Sequence, residues 1–346
     1  MKRDLLSYLV CPGCGFPLDC QATIEHDSDV ETGTLRCAQC RTDYPILRGI
    51  PRFVTVEQPL SGKNVETASA FGWEWQEFGR LYDLATCQAQ FLDWIYPITS
   101  DFLRGKVVLD AGCGMGRFSV VSSAFGAKMV LAVDASNAVE AARDNARCYP
   151  DVHVIQADIH HLPLRCDPNA QVDFAFSIGV LHHLDDPQAG FNALVQHLRR
   201  DGTLFAWVYG RENNGWLINV VNPIRTMLTS RLPRRALYAL SWAITAGLQP
   251  VLKLAYRPAN AASAPGWLRK VLPYNDYLAW LGQFRFRYIH NVVFDHLVAP
   301  VAFYLRREEF EAWFHDAGME VIDLSWRNRN SWRGHGRFAQ AAVKAP

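Results

Sequence analysis

The chain has 346 residues, 49% of them hydrophobic and 20% charged, and its 35 Lys and Arg nearly cancel 34 Asp and Glu to leave a formal charge of +1. These values exclude a disordered chain and give enough length for one large domain and one small one, with an ordinary buried core. The basic opening MKRDLLSYLVCPGC carries an apolar stretch too short and too interrupted for a cleavable signal, so the expected compartment is the cytoplasm. No low-complexity tract or fixed-period repeat stands out.

Two tight cysteine pairs come first: Cys11 and Cys14 in CPGCG, then Cys37 and Cys40 in CAQC, with 22 residues between the pairs. An odd total of nine cysteines, four of them paired in this way, suits a reducing compartment and a metal site better than a disulfide framework. Four such thiolates complete a tetrahedral zinc site, and GTLRC and YPILRGIPRFV read as short flanking strands. A closed four-cysteine site leaves no open coordination position, so the expected zinc is structural, and a module this small needs it to be stable. A redox pair or metal-free thiols are the alternative, and Cys20 is an extra thiol that complicates the ligand set. We place the ribbon at residues 1–57, followed by a linker and helical lid at 58–105.

The core is predicted over 106–210. It opens with VVLDAGCGMGRFSVV, Val107 to Val121: a buried strand ending in an aspartate, a glycine loop, then apolar residues again. A dinucleotide loop needs G-x-G-x-x-G. Here Gly112, Gly114 and Gly116 follow G-x-G-x-G, and Arg117 stands where the third glycine belongs, which weakens a pyrophosphate reading. Asp110, facing the loop mouth, would repel a pyrophosphate but pair with an ammonium, the group that S-adenosylmethionine offers without a phosphate. MVLAVDAS is a second strand ending in Asp134, about 20 residues beyond the loop, the distance at which a carboxylate takes both ribose hydroxyls. VHVIQADIHHLP is a third strand, ending in Asp158; VDFAFSIGVLHHL is a fourth and GTLFAWVYG a fifth. They alternate with the helical stretches NAVEAARDNARCY and PQAGFNALVQHLRR, which predicts an α/β fold with a doubly wound parallel sheet and ligands at the carboxyl ends. One strand-end aspartate is commonly a helix cap, whereas three in consecutive units, with the glycine loop at the first, point to a ligand.

LDAGCGMGR, AVDAS, QADIHHLP and SIGVLHHLDDP resemble the ordered motifs of the class I S-adenosylmethionine-dependent methyltransferases, over Val107 to about Tyr209. Within them the likeness is to the methyltransferase type 11 group, which includes ubiquinone and menaquinone biosynthesis enzymes. The resemblance implies a Rossmann-like, mostly parallel seven-stranded sheet and S-adenosylmethionine as cofactor. It also implies Asp110, Gly112, Gly114 and Gly116 at the methionine moiety, Asp134 at the ribose and Asp158 with the Ile159 backbone at the adenine, with Ala135 and Ser177 also against the cofactor. The ribbon is similar to the zinc-binding activator subunit that partners tRNA and translation-factor methyltransferases, here fused in cis. FGWEWQEF, Phe71 to Phe78, resembles the lead-in of bacterial methyltransferases carrying this ribbon; its aromatics either lid the cofactor or form a plain packing helix.

In that fold a helix and an antiparallel hairpin soon follow the fifth strand, and RREEFEAWFHDAGMEVIDLSW and GRFAQAAVKA supply them within 306–346. This leaves residues 211–305 as an inserted piece, too long for a bare loop and predicted to be a helical cap that chooses the substrate. It holds 11 Lys and Arg against three acids, Glu212, Asp276 and Asp295, a net of +8, so with +1 for the whole chain everything else carries −7. Three partners fit a basic apolar cap: an anionic lipid or isoprenoid at a membrane surface, a phosphorylated or nucleotide-linked small molecule, or RNA. RRALYALSWAITAGLQPVLKLAY is the most apolar part, yet Gln249, Pro250 and Lys253 interrupt it before spanning length. It is expected to pack as cap helices or to make a peripheral membrane contact, and not to cross a bilayer. Tyr274, Tyr277, Trp280, Phe284, Phe286 and Tyr288 interleave with Arg285 and Arg287, a pattern that either stacks bases or fills a cap core.

Methyl transfer is an in-line displacement at a sulfonium, so it needs alignment, exclusion of water and, for a hydroxyl acceptor, a base; it requires no metal. His182 and His183 follow the fourth strand, where each either faces the acceptor or is structural. His290, Asp295 and His296 cluster in RYIHNVVFDHLVAP, where a His and an Asp would form a base and its orienter. The candidate catalytic residues are therefore His182, His290 and Asp295. NRNSWRGHGR, Asn328 to Arg337, reads as a glycan or phosphate site or as a surface hairpin turn. SIGV stands where methylation of nucleobase amines would call for Asn/Asp-Pro-Pro-Tyr/Phe, so the expected acceptor is an oxygen or carbon of a small molecule, lipid or sugar. A tRNA or rRNA methyltransferase is one alternative, and a non-catalytic cofactor-binding module is the other.

Overall fold

The structure, a computed structural model, describes residues 1–338 apart from 28, 55–58, 61, 81–82 and 167–170. The expected boundary between residues 57 and 58, and the part of the expected last strand beyond Phe338, lie outside the described residues.

Alternating apolar residues build the first sheet. Strands β1 (Leu18–His26), β2 (Asp29–Cys37), β3 (Asp43–Leu47) and β4 (Ile50–Pro51) pair antiparallel in chain order. In β2 the inward positions Gly33, Leu35 and Cys37 alternate with outward ones, as a sheet with one buried face requires. At its end Cys11 and Cys40 bring their sulfurs to 3.6 Å, Cys14 and Cys37 to 3.4 Å, and all four lie within 4.8 Å of one another. A tetrahedron with metal–sulfur bonds of about 2.3 Å has edges of about 3.8 Å, so the four thiolates fit one structural zinc. The hydroxyl of Tyr44 lies 3.3 Å from the Cys11 sulfur and that of Thr42 3.2 Å from the Cys40 sulfur, placing polar partners behind the ligands. Cys20 is on β1, outside the cluster.

The second sheet has seven strands in the order β10-β11-β9-β8-β5-β6-β7. Its members are β5 (Val107–Ala111), β6 (Met129–Asp134), β7 (Val152–Gln156), β8 (Val172–Ile178), β9 (Leu198–Tyr209), β10 (Met319–Arg327) and β11 (Ser331–Phe338). The first five run parallel, and β11 enters antiparallel between β9 and β10. Helices α1 (Asn64–Glu77) and α2 (Leu84–Ile95) precede β5, and α3 (Arg117–Ala124), α4 (Ala138–Asn145) and α5 (Pro187–Gln196) serve the crossovers. This is the expected doubly wound, Rossmann-like sheet. Its strands are apolar on both faces: Phe174 and Phe176 of β8 pack with Phe91 of α2 and Phe118 of α3, while Ala175 faces the opposite core with Phe191 of α5. The chain reverses direction at β5, which opens a crevice beyond the carboxyl ends of β5 and β8.

The ribbon closes the β7 edge of this sheet. Phe53 N–H donates to the carbonyl of Gln156 at 2.7 Å, Val10 N–H to that of Pro163 at 2.9 Å, and Arg52 lies parallel to Gln156 as a short added strand. Arg48 and Arg52 both pair with Glu140 of α4, and Leu5, Leu9 and Tyr44 share one apolar core with Ile155 and Leu164. An otherwise unpaired edge is thereby covered.

Residues 211–305 are helical: α6 (Asn222–Met227), α7 (Arg234–Val251), α8 (Arg257–Ala259), α9 (Gly266–Val271), α10 (Asn275–Leu281) and α11 (Phe286–Val298). Pro250 has no N–H to offer the preceding turn, and the helix passes from α7 to α8 through a widened π-type turn, Leu252–Tyr256. One face of α7 packs on α11 through Leu237, Phe294 and Val298. No described helix is long and apolar enough to cross a membrane.

α12 (Arg307–Asp316) then leads into the β10–β11 hairpin. Asn328 and Arg329 take φ of 51° and 54°, the conformation of a tight hairpin turn, and a Cβ on Gly334 or Gly336 would come within 2.8 Å of Phe310 or Phe314 of α12. NRNSWRGHGR is thus the hairpin, and its glycines serve helix packing.

Because the ribbon shares a core with the sheet edge, removing zinc with a chelator is expected to destabilise the whole chain. A loss of about 2–4 kcal/mol would lower the thermal midpoint by roughly 5–10 °C in one transition. Calorimetry checks this; an unchanged midpoint, or a separate early transition, would show that the ribbon melts independently.

Candidate active site

The crevice beyond β5 and β8 is a cavity lined from both sides, by strand-end loops below and by α1, α10 and α11 above. Gly112, Gly114 and Gly116 all have positive φ, which lets the loop after β5 turn sharply into α3. A Cβ on Gly112 would lie 2.3 Å from Val180, and one on Gly116 would lie 3.1 Å from Ala142 of α4. Gly112 and Gly114 line the cavity; Gly116 does not, and its place is helix packing.

Three aspartates reach the cavity at consecutive strand ends. Asp110 is buried, accepts a hydrogen bond from Ser119 Oγ at 2.6 Å, and makes no ion pair among the described residues. Burial pushes its carboxyl up to about 7, against the Ser119 hydrogen bond and with help from the charge of Asp134. Asp134 accepts from Gly114 N–H at 2.9 Å and from Ser136 N–H at 2.8 Å, so it ties the glycine loop to β6; burial raises its pKa as well. Burial also acts to raise Asp158, but the ring and backbone hydrogen bonds of His160 overcome it and hold the carboxyl below its usual range. Ala135 and Ile159 line the cavity beside them. Ser177 does not: its hydroxyl is buried in the sheet and donates to the carbonyl of Ala111 at 3.0 Å.

The opposite wall is aromatic and acidic. Helical periodicity puts Tyr288, Asn291, Val292, Asp295 and His296 of α11 on the cavity face, at i, i+3, i+4, i+7 and i+8. Glu74 of α1 faces them, buried, with Oε1 accepting from Asn291 Nδ2 at 2.5 Å and Oε2 without a hydrogen-bond partner. Burial and the nearby charge of Asp295 raise the Glu74 pKa well above the usual range, which favours its neutral form. Asp295 is pushed up to about 6 by burial, with Arg225, Arg117 and the Tyr209 hydroxyl pulling it down. The rest of this wall is Trp94, Trp207, Tyr209, Tyr277 and Trp280, with Arg327 stacked over Trp94 at 3.9 Å and Trp280 at 4.6 Å. Arg117, at the start of α3, lines the cavity with its guanidinium 4.5 Å from the Phe118 ring and 5.9 Å from that of Trp75.

Two of the expected catalytic residues lie elsewhere. His290 precedes Asp295 by five positions, about 140° around a helix, so it faces α7 and not the cavity. There its Nε2 lies 2.9 Å from Ser241 Oγ and 3.2 Å from the carbonyl of Tyr238. His182 is fully buried behind the cavity, its ring tilted against that of Tyr209 with centroids 3.9 Å apart, because the short turn Leu181–His183 sends successive side chains in different directions. Its neighbour His183 does line the cavity, with Nδ1 2.5 Å from the carbonyl of Val301, and burial depresses it to about 3. His296, also on the cavity, is depressed to about 4 by burial and Arg225, and its Nε2 lies 3.0 Å from the Tyr277 hydroxyl. FGWEWQEF divides by face: Phe71, Glu74 and Trp75 line the cavity, while Trp73 and Phe78 pack against Tyr238 and Phe294. Glu74, Arg117 and the aromatic wall are the residues that sequence reasoning missed as a group.

Residues 109–206 match the family model described as a methyltransferase domain. A curated relative from Shewanella baltica, a tRNA U34 carboxymethyltransferase, is 31% identical over 136 residues, 34% of this chain and 40% of that protein. Another, from Oryza sativa subsp. japonica and named probable protein arginine N-methyltransferase 6.1, is 31% identical over 113 residues, 29% of each chain. The chain thus spans about 40% of the length of the first relatives it matches. Among solved structures, a complex of the Haloferax volcanii Trm112 methyltransferase activator with a methyltransferase is 15% identical, covers 80% of this chain and 98% of that one, and has a TM-score of 0.44. Magnesium protoporphyrin IX methyltransferase of Synechocystis PCC 6803 with bound S-adenosylmethionine is 14% identical, covers 81% and 99%, and has a TM-score of 0.45. Residues 109–206 thus match a methyltransferase domain, and the four-cysteine cluster that precedes them fits a structural zinc.

Ser177→Ala and His290→Ala are each expected to leave the affinity for S-adenosylhomocysteine within about threefold while costing about 1–3 kcal/mol of stability, since each removes a buried hydrogen bond that does not face the cavity. Denaturant melts and calorimetric titration of the two variants check this.

Proposed function

We propose that the chain is an S-adenosylmethionine-dependent methyltransferase whose acceptor is an apolar small molecule, lipid or isoprenoid carrying an ionisable oxygen or carbon acid. The cofactor, when bound, supplies an electrophilic methyl group on a sulfonium. The observation that supports its placement is the buried Asp110 carboxyl, which feels the charge of Arg117 but makes no ion pair among the described residues, on the wall of a cavity that also holds Asp134 and Asp158. In this reading Asp110 takes the cofactor's ammonium and Arg117 its carboxylate, matching a zwitterion with two opposite charges. Asp134 takes the ribose, for which Oδ2 retains capacity beyond its bond from Gly114 N–H, and Asp158 with Ile159 takes the adenine.

The acceptor's place is the aromatic chamber under α11. Two carboxyls there are driven apart in acidity by their surroundings, the usual arrangement for dividing acid and base work. Burial favours the neutral form of Glu74, whose Oε2 has no hydrogen-bond partner among the described residues and is placed to donate to an acceptor oxygen. Asp295 is held ionised at neutral pH by Arg225, Arg117 and the Tyr209 hydroxyl, so it is the group able to take a proton from the acceptor. His183 and His296 stay neutral there and shape the wall. The chamber offers broad apolar surface and few polar anchors, which favours a lipid-like or aromatic acceptor over a free sugar.

The test begins with calorimetric titration of the zinc-loaded protein with S-adenosylhomocysteine and with NAD. Micromolar binding of the first, no binding of the second, and loss of binding in Asp134→Ala support the cofactor. With acceptors then screened by S-adenosylhomocysteine release, turnover should rise with pH through about 6 and level off above it, because Asp295 must lose its proton to act. Asp295→Asn should lower turnover by about 10²–10⁴-fold with cofactor affinity within about threefold, and a thermal melt separates this from loss of fold. Binding without turnover on any acceptor would favour a non-catalytic cofactor-binding module, and turnover on tRNA or rRNA alone would favour the RNA reading.

A further inference from the structure

The outer face of the inserted helices has no use in methyl transfer. The described chain exposes 19 large hydrophobic side chains, and 11 of them fall between Trp216 and Val271. Several are nearly naked: Leu254 is 79% exposed, Val271 69%, Met227 66% and Trp267 62%. Over the same region, residues 213–275 contain eight Lys and Arg and no Asp or Glu. Arg225 is buried at the active site; the other seven reach the surface.

Helix α7 shows the arrangement most clearly. Residues 236–252, about 26 Å of helix, carry no charged side chain. Leu237, Ser241 and Thr245 face the protein, while Leu240, Ile244 and Val251 lie exposed along one flank of the helix and Trp242, half-exposed beside Phe286, along the other. Arg234 and Arg235 stand at one end, and Lys253 and Arg257 at the other. A helix apolar all round is ordinarily buried on every side, and this one is buried on one side only.

We propose that this face docks the protein on the surface of an anionic phospholipid bilayer. The charge decides among the occupants. A second copy would bring two faces of the same strong positive charge together, which opposes association. RNA would match the charge but not Leu240, Val251, Leu254, Met227 and Val271, aliphatic groups that neither stack on bases nor hydrogen-bond to them. An interface of acyl chains below anionic headgroups matches both: the aliphatic groups and the indoles of Trp242 and Trp267 enter the boundary layer, and the flanking Arg and Lys meet the headgroups. The inner face of α7 packs on α11, so lipid and acceptor chamber would be separated by one helix layer.

The experiment is flotation of the full-length, zinc-loaded protein with vesicles of phosphatidylcholine containing about one part in four of phosphatidylglycerol, alongside vesicles of phosphatidylcholine alone. Binding to the anionic vesicles at least about tenfold stronger than to the neutral ones is expected, with a blue shift of tryptophan emission. The double variant Trp242→Ser, Leu254→Ser and the triple variant Arg234→Glu, Arg235→Glu, Lys253→Glu should each lose about tenfold or more of that binding with an unchanged thermal midpoint and unchanged S-adenosylhomocysteine affinity. No binding to anionic vesicles, or equal binding by the folded variants, would overturn the proposal. So would a dimer that Leu254→Ser dissolves, or RNA binding through this face that anionic vesicles do not displace.

Discussion

Five carboxyl groups line one cavity, and the rest of the site is arranged around the cost of the four whose acidity burial weakens. Glu74, Asp110, Asp134 and Asp295 come from α1, β5, β6 and α11, and each has its pKa raised by burial. An unpaired buried charge is too costly to persist, so such groups are neutralised, hydrogen-bonded or paired. Each takes a different course here. Glu74 is shifted toward its neutral form, Asp134 is held by loop amides and Ser136, and Asp295 is held by the charges of buried Arg225 and half-buried Arg117. Asp110 alone has one hydroxyl partner and no nearby ion pair among the described residues, which is why a cationic ligand is the natural completion of the site.

The remainder of the fold fixes these groups in place. Positive φ at the glycines turns the loop so that α3 begins beside Asp110 and presents Arg117 to the cavity. Arg327, at the β10–β11 turn, is sandwiched by Trp94 of α2 and Trp280 of α10 and bonded to Asp93, joining hairpin, body and cap in one contact. The ribbon works at a distance: by pairing along β7 it fixes the edge of the sheet whose other strands carry the carboxyls. Its zinc is thereby coupled to the stability of a site it never touches.

What could be read from the sequence was local. The cysteine pairs, the glycine loop and the strand-end aspartates are set by spacing within one or two elements, and the parallel, doubly wound sheet follows from alternation with helices. The acceptor chamber was less legible because it is assembled from helices more than 200 residues apart: Glu74 meets Asn291 only when α1 and α11 pack. Proximity in sequence misled for His290 and Asp295, which the turn of α11 sends to opposite faces. The family resemblance put Ser177 against the cofactor, whereas its hydroxyl donates to the carbonyl of Ala111 on the neighbouring strand. The charge asymmetry of residues 211–305 was visible at once, but only the exposure of α7 shows which of its apolar residues have no partner in the fold.

The claim that Asp110 waits for a cation is tested most directly by the protons that move when the cofactor binds. With burial pushing its carboxyl up to about 7, Asp110 is about half protonated at neutral pH, and an arriving ammonium drives the remaining proton off. Titrating S-adenosylhomocysteine at pH 7 in two buffers of different ionisation enthalpy should therefore show release of about half a proton, absent in Asp110→Asn. Affinity in the wild type should rise as pH increases through 7. A binding enthalpy independent of buffer, or the same proton release in the variant, would contradict the account.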